Sequence, residues 1–362
     1  MLICIELFLN AEHLYFHSSQ FESSTVDEYT SYVERVTPLV EYVKDTDGLF
    51  RTVLTGEARR TGNDSFLFNL YGLDSYTSQE KEDTHLIGEN LGYATSILYG
   101  MHYNDGATMS SDSLLGVKYI ISSQKPDGNY AQIKEQGGLV LYENENAMPI
   151  AFLTNKDIEK LEDEDRVFEY INNLFQSTNG NVERGLFIDE KADFRAVNCK
   201  KNDDGTYISD GMGYVEYSIK PEMKKDAYVY YVGSGADKVS AWINGKEVLI
   251  SEQKGRIKKL GELSPEDMVY VRVYISEGQT VCTDKIEIYS EDISVLAKHV
   301  REIREKATEV YKEKGTKTRI QCVVKEDDCY LVCTVPYDDG WHIKVDGKAA
   351  EVRILHIYWQ YP

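Results

Sequence analysis

The spacing of apolar residues changes about halfway along this chain, and the change limits the folds open to it. Apolar residues first recur at helical intervals, at 27–45 and 156–175, with short apolar strands between. From 183 to 291, apolar and polar residues alternate in short segments separated by Gly and Asp turns. Helical spacing buries one stripe of a helix, whereas strict alternation buries one face of a strand. We therefore predict an α+β fold, with an N-terminal mixed α/β domain over 27–180 and an antiparallel β-sandwich domain over 181–362.

The N-terminal unit is predicted to contain a central buried strand. LLGVKYIISS at 114–123 is almost continuously apolar, which is typical of a strand covered on both faces. FLFNLYG at 66–72 predicts a second, shorter buried strand. The other elements predicted for this unit are strands at 49–55, 130–134, 139–143 and 149–153 and a helix at 80–92.

The C-terminal half is predicted to end in a helix and two closing β-hairpins. Apolar residues recur every three or four positions over 291–313, which predicts a helix packed on a sheet. RIQCVV and CYLVCTVP, joined by KEDD, predict one hairpin at 319–336. The Asn-Gly pair at 244–245 and the Asp-Gly pair at 346–347 predict hairpin turns. We expect the closing hairpins to cover the sandwich, with Trp341 as a core residue.

The charge and the aromatic composition limit the partners of the chain. Lys and Arg number 40 and Asp and Glu 61, which leaves a net charge of −21. Nucleic acid needs a basic protein face, so we expect no nucleic-acid partner. Tyr is frequent, with 27 residues against 11 Phe and 3 Trp. Rings that carry a hydroxyl suit half-hydrated sheet faces and surfaces that contact sugars.

The longest apolar run opens the chain. Residues 1–9 are apolar except for Glu6, whereas a membrane crossing needs about 20 apolar residues. The run also lacks the basic segment and the cleavage site of a signal peptide. From the residues alone, it fits either a buried strand or the end of a membrane helix.

The cysteines do not define a metal site. The six residues include no CxxC pair, so a structural zinc site is not expected. Cys322, Cys329 and Cys333 fall on the predicted 319–336 hairpin. Either a disulfide or small apolar side chains would fit there, and the second interpretation is favoured.

Motifs of known catalytic chemistry are absent. His13 and His17 are four residues apart, but the Glu that follows the first His in zinc peptidases is missing. Asp338 and Asp339 precede a Gly and are typical turn formers rather than a metal or catalytic pair. Nucleophile elbows, phosphate-binding loops and dinucleotide fingerprints do not occur. We therefore assign no catalytic, cofactor-binding or metal-ligating residue and expect no cofactor.

Three stretches of the chain together resemble one known family. They are SLLGVKYIISS with GLVLYENENAMPIAFL (113–153), FRTVLT with LYGLDSYTSQEK (50–81), and VPYDDGWHIKVDGK (335–348). The set resembles the extracytoplasmic part of the YfhO-type bacterial membrane proteins, which are similar to the GT-C class of lipid-phosphosugar glycosyltransferases. The resemblance covers about residues 1–350. We interpret its motif residues as fold-determining: Gly116, Lys118, Tyr119, Tyr142, Asn144, Pro149, Pro336, Tyr337, Asp339, Gly340, Trp341, Asp346 and Gly347.

The resemblance implies that this chain is part of a larger membrane protein. Residues 1–26 would be the end of a truncated membrane helix and a linker, and the missing membrane-spanning portion would be a partner. The rest would lie on the extracytoplasmic face of the cell membrane. GT-C enzymes carry their catalytic carboxylate between early membrane helices, so the resemblance assigns no catalytic residue here and leaves the enzyme question open. Residues 351–362 depart from the family pattern, which has a Gly-His turn there.

Two functions follow as hypotheses. The first is an accessory region that positions an acceptor for a cell-envelope glycosyltransferase, such as a teichoic-acid-type polymer or a lipid-linked sugar. Phosphates are repelled by an acidic chain, so contact would need a basic patch, for which Arg59-Arg60 and 254–259 are candidates. The alternative is a free-standing surface protein with a carbohydrate-binding or adhesive sandwich, in which Trp242 would stack on a sugar ring.

Overall fold

The computed structural model of the chain describes most of the sequence. His13, His17 and most of 1–26 lie outside the described residues, so the interpretation of that segment as a membrane-helix end stays a prediction. Within the described part, no helix combines the length and the apolar character of a membrane crossing. The described residues are 6–8, 10, 12, 24–46, 48–76, 82–96, 100–103, 105–161, 166–179, 185–231, 236–251, 255–282, 286–306, 309–312, 317–324 and 329–353.

The described helices lie mainly in the first half of the chain. The first begins at a capping box, in which the Glu28 backbone N–H donates to Thr25 Oγ1 (3.2 Å) and the Thr25 N–H donates to the Glu28 carboxylate (2.8 Å). Two short 3₁₀ helices, Gly56–Ala58 and Lys156–Lys160, follow strands. The α-helices are α1 Val26–Lys44, α2 Asp64–Leu67, α3 Glu82–Asn90, α4 Met109–Leu114, α5 Val167–Asn179 and α6 Ile293–Arg304.

A mixed sheet of four strands forms the centre of the N-terminal half, in the order β1-β4-β6-β5. Strand β4 pairs in parallel with β1 and antiparallel with β6, which confirms the prediction of a central strand. Tyr119 on β4 lies opposite Thr52 on one side and Glu143 on the other. The strands of this half are β1 Arg51–Thr55, β2 Ala94–Ser96, β3 Gly100–His102, β4 Val117–Ser122, β5 Ala131–Gln136, β6 Leu139–Glu143 and β7 Ala151–Asn155.

Two predicted segments of this half differ from the structure. The predicted strand 66–72 is wrong: Asp64 accepts the backbone N–H groups of Arg60 (2.5 Å) and Thr61 (3.0 Å), and the chain turns into α2. Phe66 is 70% exposed, whereas Phe68 is buried, so only part of this apolar run enters the core. The predicted strand 114–123 begins only at Val117, because helix α4 extends to Leu114 and the chain turns after it.

Two antiparallel sheets pack face to face over most of the second half, which confirms the predicted α+β class with a sandwich-like β region. One sheet has the order β13-β12-β15-β10-β16, with β9 also on β10, and the other has the order β14-β11-β17-β8. Val215 and Val271 of the first sheet and Val229 and Ile288 of the second share one buried cluster. The strands are β8 Phe187–Asp189, β9 Asp193–Lys201, β10 Tyr207–Ile219, β11 Lys225–Tyr231, β12 Ala236–Ile243, β13 Lys246–Ser251, β14 Ile257–Leu263, β15 Val269–Ile275, β16 Thr280–Val281 and β17 Ile286–Glu291.

The C-terminal elements differ from their prediction. The predicted helix 291–313 ends at Arg304, and its last part is a strand, β18 Glu309–Lys312, paired with β19 Thr318–Gln321. Val310 lies opposite Ile320 in that ladder, so the apolar residue assigned to the helix is a strand residue.

The predicted hairpin at 319–336 is also wrong. Strand β20, Cys329–Cys333, pairs antiparallel with β7 of the N-terminal half instead of with β19. Strand β7 is buried and its backbone N–H and C=O groups need partners, which β20 supplies. The joining residues 325–328 lie outside the described part. Cys322, Cys329 and Cys333 are free thiols.

The closing segment does not cover the sandwich. Trp341 is 43% exposed, and its indole N–H donates to the Pro336 carbonyl (3.3 Å), so its prediction as a core residue is wrong. The last hairpin has the predicted Asp-Gly turn between β21 Lys344–Val345 and β22 Lys348–Ala349. Two-residue strands offer too little surface to bury an indole ring.

The two halves share a hydrophobic core. Phe168 of α5 stacks on Tyr289 of β17, with ring centroids 4.7 Å apart, and also contacts Phe187 of β8 at 4.9 Å. Helix α6 contacts α4, α5 and β7, so the chain returns to the N-terminal half after the sheets. The division into domains at 180/181 stays a prediction.

Candidate functional site

The first group of motif residues fixes the turn into strand β4. Gly116 has φ +68°, and a Cβ there would lie 3.0 Å from the Met148 carbonyl oxygen. Asn144 is fully buried, and its side-chain amide donates to Ser113 Oγ (3.1 Å) and to the Val117 carbonyl (3.2 Å). These contacts hold the loop after β6 against the start of β4, which is a structural role.

The remaining motif residues of this sheet also contact neighbouring residues or lie in the core. Lys118 Nζ lies 3.6 Å from the Glu143 carboxylate and 4.1 Å from the centroid of the Phe50 ring. Tyr119 and Tyr142 are buried in the core, and Pro149 is half-buried. We therefore assign these residues to the fold rather than to a binding site.

The second motif group forms an exposed loop. Pro336, Tyr337, Asp339, Gly340, Trp341, Asp346 and Gly347 are all exposed. The Gly340 N–H donates to Asp338 Oδ1 (2.8 Å), which is turn chemistry, and Asp346 and Gly347 adopt φ values of 50° and 82° in the hairpin turn.

Arg51 links the two motif groups, and sequence reasoning missed it. Its guanidinium donates to the Leu115 carbonyl, next to Gly116, and to both the carbonyl and the hydroxyl oxygen of Thr334, two residues before Pro336. Burial lowers the pKa of Arg51 to about 10. The apolar pattern of strand β1 did not indicate that its first residue, Arg51, would connect these two segments.

The most deeply buried carboxylates each accept several hydrogen bonds. Asp112 is fully buried and accepts the hydroxyl groups of Tyr93 (3.1 Å), Tyr103 (2.7 Å) and Tyr130 (2.5 Å). Burial raises its pKa to about 7. Glu291 is also in the core, and it accepts the N–H of Ser110 (2.8 Å) and the Tyr228 hydroxyl (2.8 Å).

A third buried carboxylate caps a helix. Glu287 of β17 accepts the backbone N–H groups of Val167 (3.1 Å) and Phe168 (3.3 Å) at the start of α5. Burial raises its pKa to about 7. Together with Asp112 and Glu291, it connects elements inside the core, so we assign these acids to the fold rather than to chemistry on a substrate.

The cations of the candidate basic patches are paired with acids or contact an aromatic ring. Arg59 Nε lies 3.0 Å from Asp74, and the Arg60 guanidinium lies 5.3 Å from the centroid of the Tyr32 ring. In the second patch, Lys254 lies outside the described residues. The pairs there are Arg256–Asp105 (2.7 Å), Lys258–Asp105 (2.9 Å) and Lys259–Asp226 (3.0 Å).

The outward side of the first sheet carries a different set of residues. Along β15, Tyr270, Arg272 and Tyr274 alternate with valines that are buried in the core, so these three point to the other side. The strand register places Trp242 opposite Tyr270 and Tyr214 opposite Tyr274. We name this surface the aromatic face; its residues are Arg195, Tyr214, Glu216, Lys238, Trp242, Glu247, Tyr270, Arg272 and Tyr274.

Glu216 organises the cations of the aromatic face. Its two carboxylate oxygens lie 2.5 Å from Arg195 Nε and 2.5 Å from Arg272 Nε. Burial raises the pKa of Glu216, but the hydrogen bonds from Arg195 and Arg272 outweigh it and hold the pKa below its usual value. Glu216 is therefore ionised, and it fixes both guanidinium groups on the sheet.

The cations of this face in turn contact the rings. The Arg272 guanidinium lies 5.1 Å from the Tyr214 ring centroid and 5.6 Å from that of Trp242. Lys238 Nζ lies 5.7 Å from the Tyr274 ring and 3.0 Å from Glu247. The buried indole N–H of Trp242 has no hydrogen-bond partner within the described part of the chain.

This arrangement suits a ligand with apolar faces and hydroxyl edges. The rings offer stacking surfaces, and the guanidinium groups are hydrogen-bond donors. Sequence reasoning singled out Trp242 alone. The alternation in MVYVRVYI (268–275) also carries the signal for Tyr270, Arg272 and Tyr274, since it assigns them to one side of a strand.

Solved structures share only limited similarity with the chain. A family two carbohydrate esterase from Cellvibrio japonicus is 9% identical, with 29% of this chain and 33% of that chain covered and a TM-score of 0.19. The GH26-CBM35 β-(1,4)-mannanase of Podospora anserina is 11% identical, with 29% and 27% covered and a TM-score of 0.17. The arabinofuranosyltransferase AftD from Mycobacteria is 6% identical, with 85% and 34% covered and a TM-score of 0.20. These scores support no functional argument, and the chain covers about a third or less of each of these three proteins.

The family comparison is more informative. No curated protein matches the chain. A family model described as "Bacterial membrane protein YfhO" matches residues 1–356, which is nearly the whole sequence. The chain therefore belongs to the YfhO family of bacterial membrane proteins.

Proposed function

We propose that this chain is the extracytoplasmic region of a larger YfhO-type membrane protein and that it holds a cell-envelope glycan for sugar transfer elsewhere in that protein. The observation that carries the proposal is the aromatic face, where Trp242, Tyr270, Tyr214 and Tyr274 surround Arg272. The acceptor would be a glycopolymer of the teichoic-acid type or a lipid-linked sugar, and the membrane-spanning portion would supply the catalytic carboxylate.

The charges argue against a holding role for the candidate basic patches. Arg59, Arg256 and Lys258 are paired with acids, so they offer little attraction to a polymer phosphate. Membership in a membrane protein family favours attachment to a membrane over the free-standing alternative. The aromatic face serves a glycan in either setting, because it belongs to the chain itself.

A binding experiment tests the proposal. The purified chain is mixed with envelope glycopolymer isolated from bacterial cell walls, and the bound fraction is measured by co-sedimentation. We expect the wild-type chain to bind and a Trp242→Ala, Tyr214→Ala double variant to lose binding. Trp341→Ala is the matched control, since it removes an exposed ring from the closing segment. Loss of binding in the control alone, or no binding by the wild type, would overturn the proposal.

A further inference from the structure

We infer that the aromatic face binds a neutral, extended oligosaccharide that runs along β15, with one sugar at Trp242 and Tyr270 and another at Tyr214 and Tyr274. The inference rests on the proposed function and selects between its two acceptors: the sugar chain of a lipid-linked sugar fits, whereas a phosphate-rich polymer of the teichoic-acid type does not. It also adds the direction and the minimum length of the ligand.

Two separate aromatic pairs lie along the same strand. Trp242 is in register with Tyr270, and Tyr214 is in register with Tyr274 with ring centroids 5.7 Å apart. The Cα atoms of Tyr270 and Tyr274 are four residues apart on β15 and therefore lie about 13 Å apart, at a rise of about 3.3 Å per residue. One pyranose ring is shorter than this distance. A ligand that stacks on both pairs is therefore a chain of linked sugars.

Arg272 lies between the two pairs and belongs to both. Its guanidinium contacts the Tyr214 ring on one side and the Trp242 ring on the other, while Glu216 holds its Nε. The Tyr274 hydroxyl is a further partner. These partners engage part of the five N–H donors of a guanidinium, so Arg272 can donate to hydroxyl groups of a sugar between the two stacked units.

The face has too small a net charge to attract a polyanion, which favours a neutral glycan. Its cations are Arg195, Lys238 and Arg272, and its carboxylates are Glu216 and Glu247, which leaves a local excess of one positive charge. The whole chain carries −21 and repels polyanions at a distance. Three tyrosines and one tryptophan, each with a polar atom, match a sugar ring better than they match an aliphatic partner.

A length series tests the inference. The probes are neutral oligosaccharides from bacterial envelope glycans, fractionated by size, and the monosaccharides of the same composition. Binding to the purified chain is measured by calorimetry. We expect affinity to rise by about tenfold or more between the single sugar and the oligosaccharides that span both pairs, because the second contact becomes intramolecular.

The variants divide the site into its two halves. Trp242→Ala and Tyr214→Ala are each expected to remove the gain with length and leave the weak binding of a single sugar, and Trp242→Phe and Tyr214→Phe are expected to keep the gain. Circular dichroism and thermal melting confirm that each variant is folded. If monosaccharides bind as tightly as oligosaccharides, or if both Ala variants keep the gain, the extended site is refuted while glycan holding stands. If no glycan of any length binds, the proposed function fails as well.

Discussion

Arg272 on β15 and Glu216 on β10 lie directly opposite each other, and the Nε atom of Arg272 is 2.5 Å from the Glu216 carboxylate. The same carboxylate binds Arg195, so one buried acid fixes two cations beside the aromatic rings. This relationship makes Glu216 a positioning residue: it would act on a glycan only through Arg272.

Replacing the acid therefore has two expected effects. Glu216→Gln removes the charge partner of both guanidinium groups, and we expect the free energy of unfolding to fall by about 1–3 kcal/mol. Glycan affinity is expected to fall with it, because Arg272 loses its fixed place between the rings. Urea denaturation and calorimetry measure the two effects. Full glycan affinity in a folded Glu216→Gln variant would show that Arg272 needs no such support.

The raised pKa of Asp112 predicts how the stability of the fold depends on pH. Burial raises its pKa to about 7, so the folded protein holds the proton more tightly than the unfolded chain does. The stability it contributes is complete below the unfolded pKa of about 4 and is lost as the pH rises toward 7. Asp74 and Glu287 have pKa values raised in the same direction, to about 6 and about 7.

We expect urea denaturation to show a falling free energy of unfolding between about pH 4 and about pH 7. Asp112→Asn carries no titrating proton and is expected to flatten that dependence in part, because Asp74 and Glu287 remain. A slope as steep in the variant as in the wild type would show that Asp112 does not contribute.

Tyr119 tests the central position of β4. Its strand lies between β1 and β6 and its side chain is buried in the core, so Tyr119→Asp places an unpaired charge there. We expect a loss of several kcal/mol in the free energy of unfolding, while Tyr119→Phe changes it little. If the Asp variant melts at the same temperature as the wild type, Tyr119 does not lie in the buried core.

Trp341 is expected to matter little for stability. Its ring is 43% exposed on a short closing hairpin, so Trp341→Ala should cost less than about 1 kcal/mol. Phe152→Ala is the matched comparison, since Phe152 is fully buried on β7 and its truncation should cost about 3–5 kcal/mol. Denaturation midpoints give both values, and a large loss for Trp341→Ala would show that the closing hairpin packs on a core.

The sequence predicted the elements whose apolar pattern is long and regular. The strand alternation after residue 183 and the continuous apolar run of β4 both place their residues correctly, because one buried face determines the pattern. The prediction for 66–72 failed because the polar residues before the run start a helical turn, and of its five apolar residues only Phe68 is buried. A short apolar segment is compatible with either a buried strand or a helical turn.

The pairing of strands that lie far apart in the chain could not be predicted from the sequence. Strand β20 pairs with β7, more than 170 residues earlier, whereas the pattern favoured the adjacent β19. The aromatic face depends on the register of five strands. Periodicity placed Tyr270 and Arg272 on one side of β15 and left Trp242 and Tyr214 without a connection to them. Arg51 gave no signal at all, because its partners are backbone carbonyls and Thr334.

The holding role of the aromatic face is tested most directly by sugar transfer in the full-length membrane protein. The rate is measured against acceptor concentration for the wild type and for Trp242→Ala, Tyr214→Ala, with Trp341→Ala as the control. We predict that the double variant raises KM for the acceptor by about tenfold and leaves kcat unchanged, since it removes binding shared by the ground state and the transition state. A fall in kcat at unchanged KM, or equal kinetics in the double variant and the wild type, would contradict the assignment of this face to glycan holding.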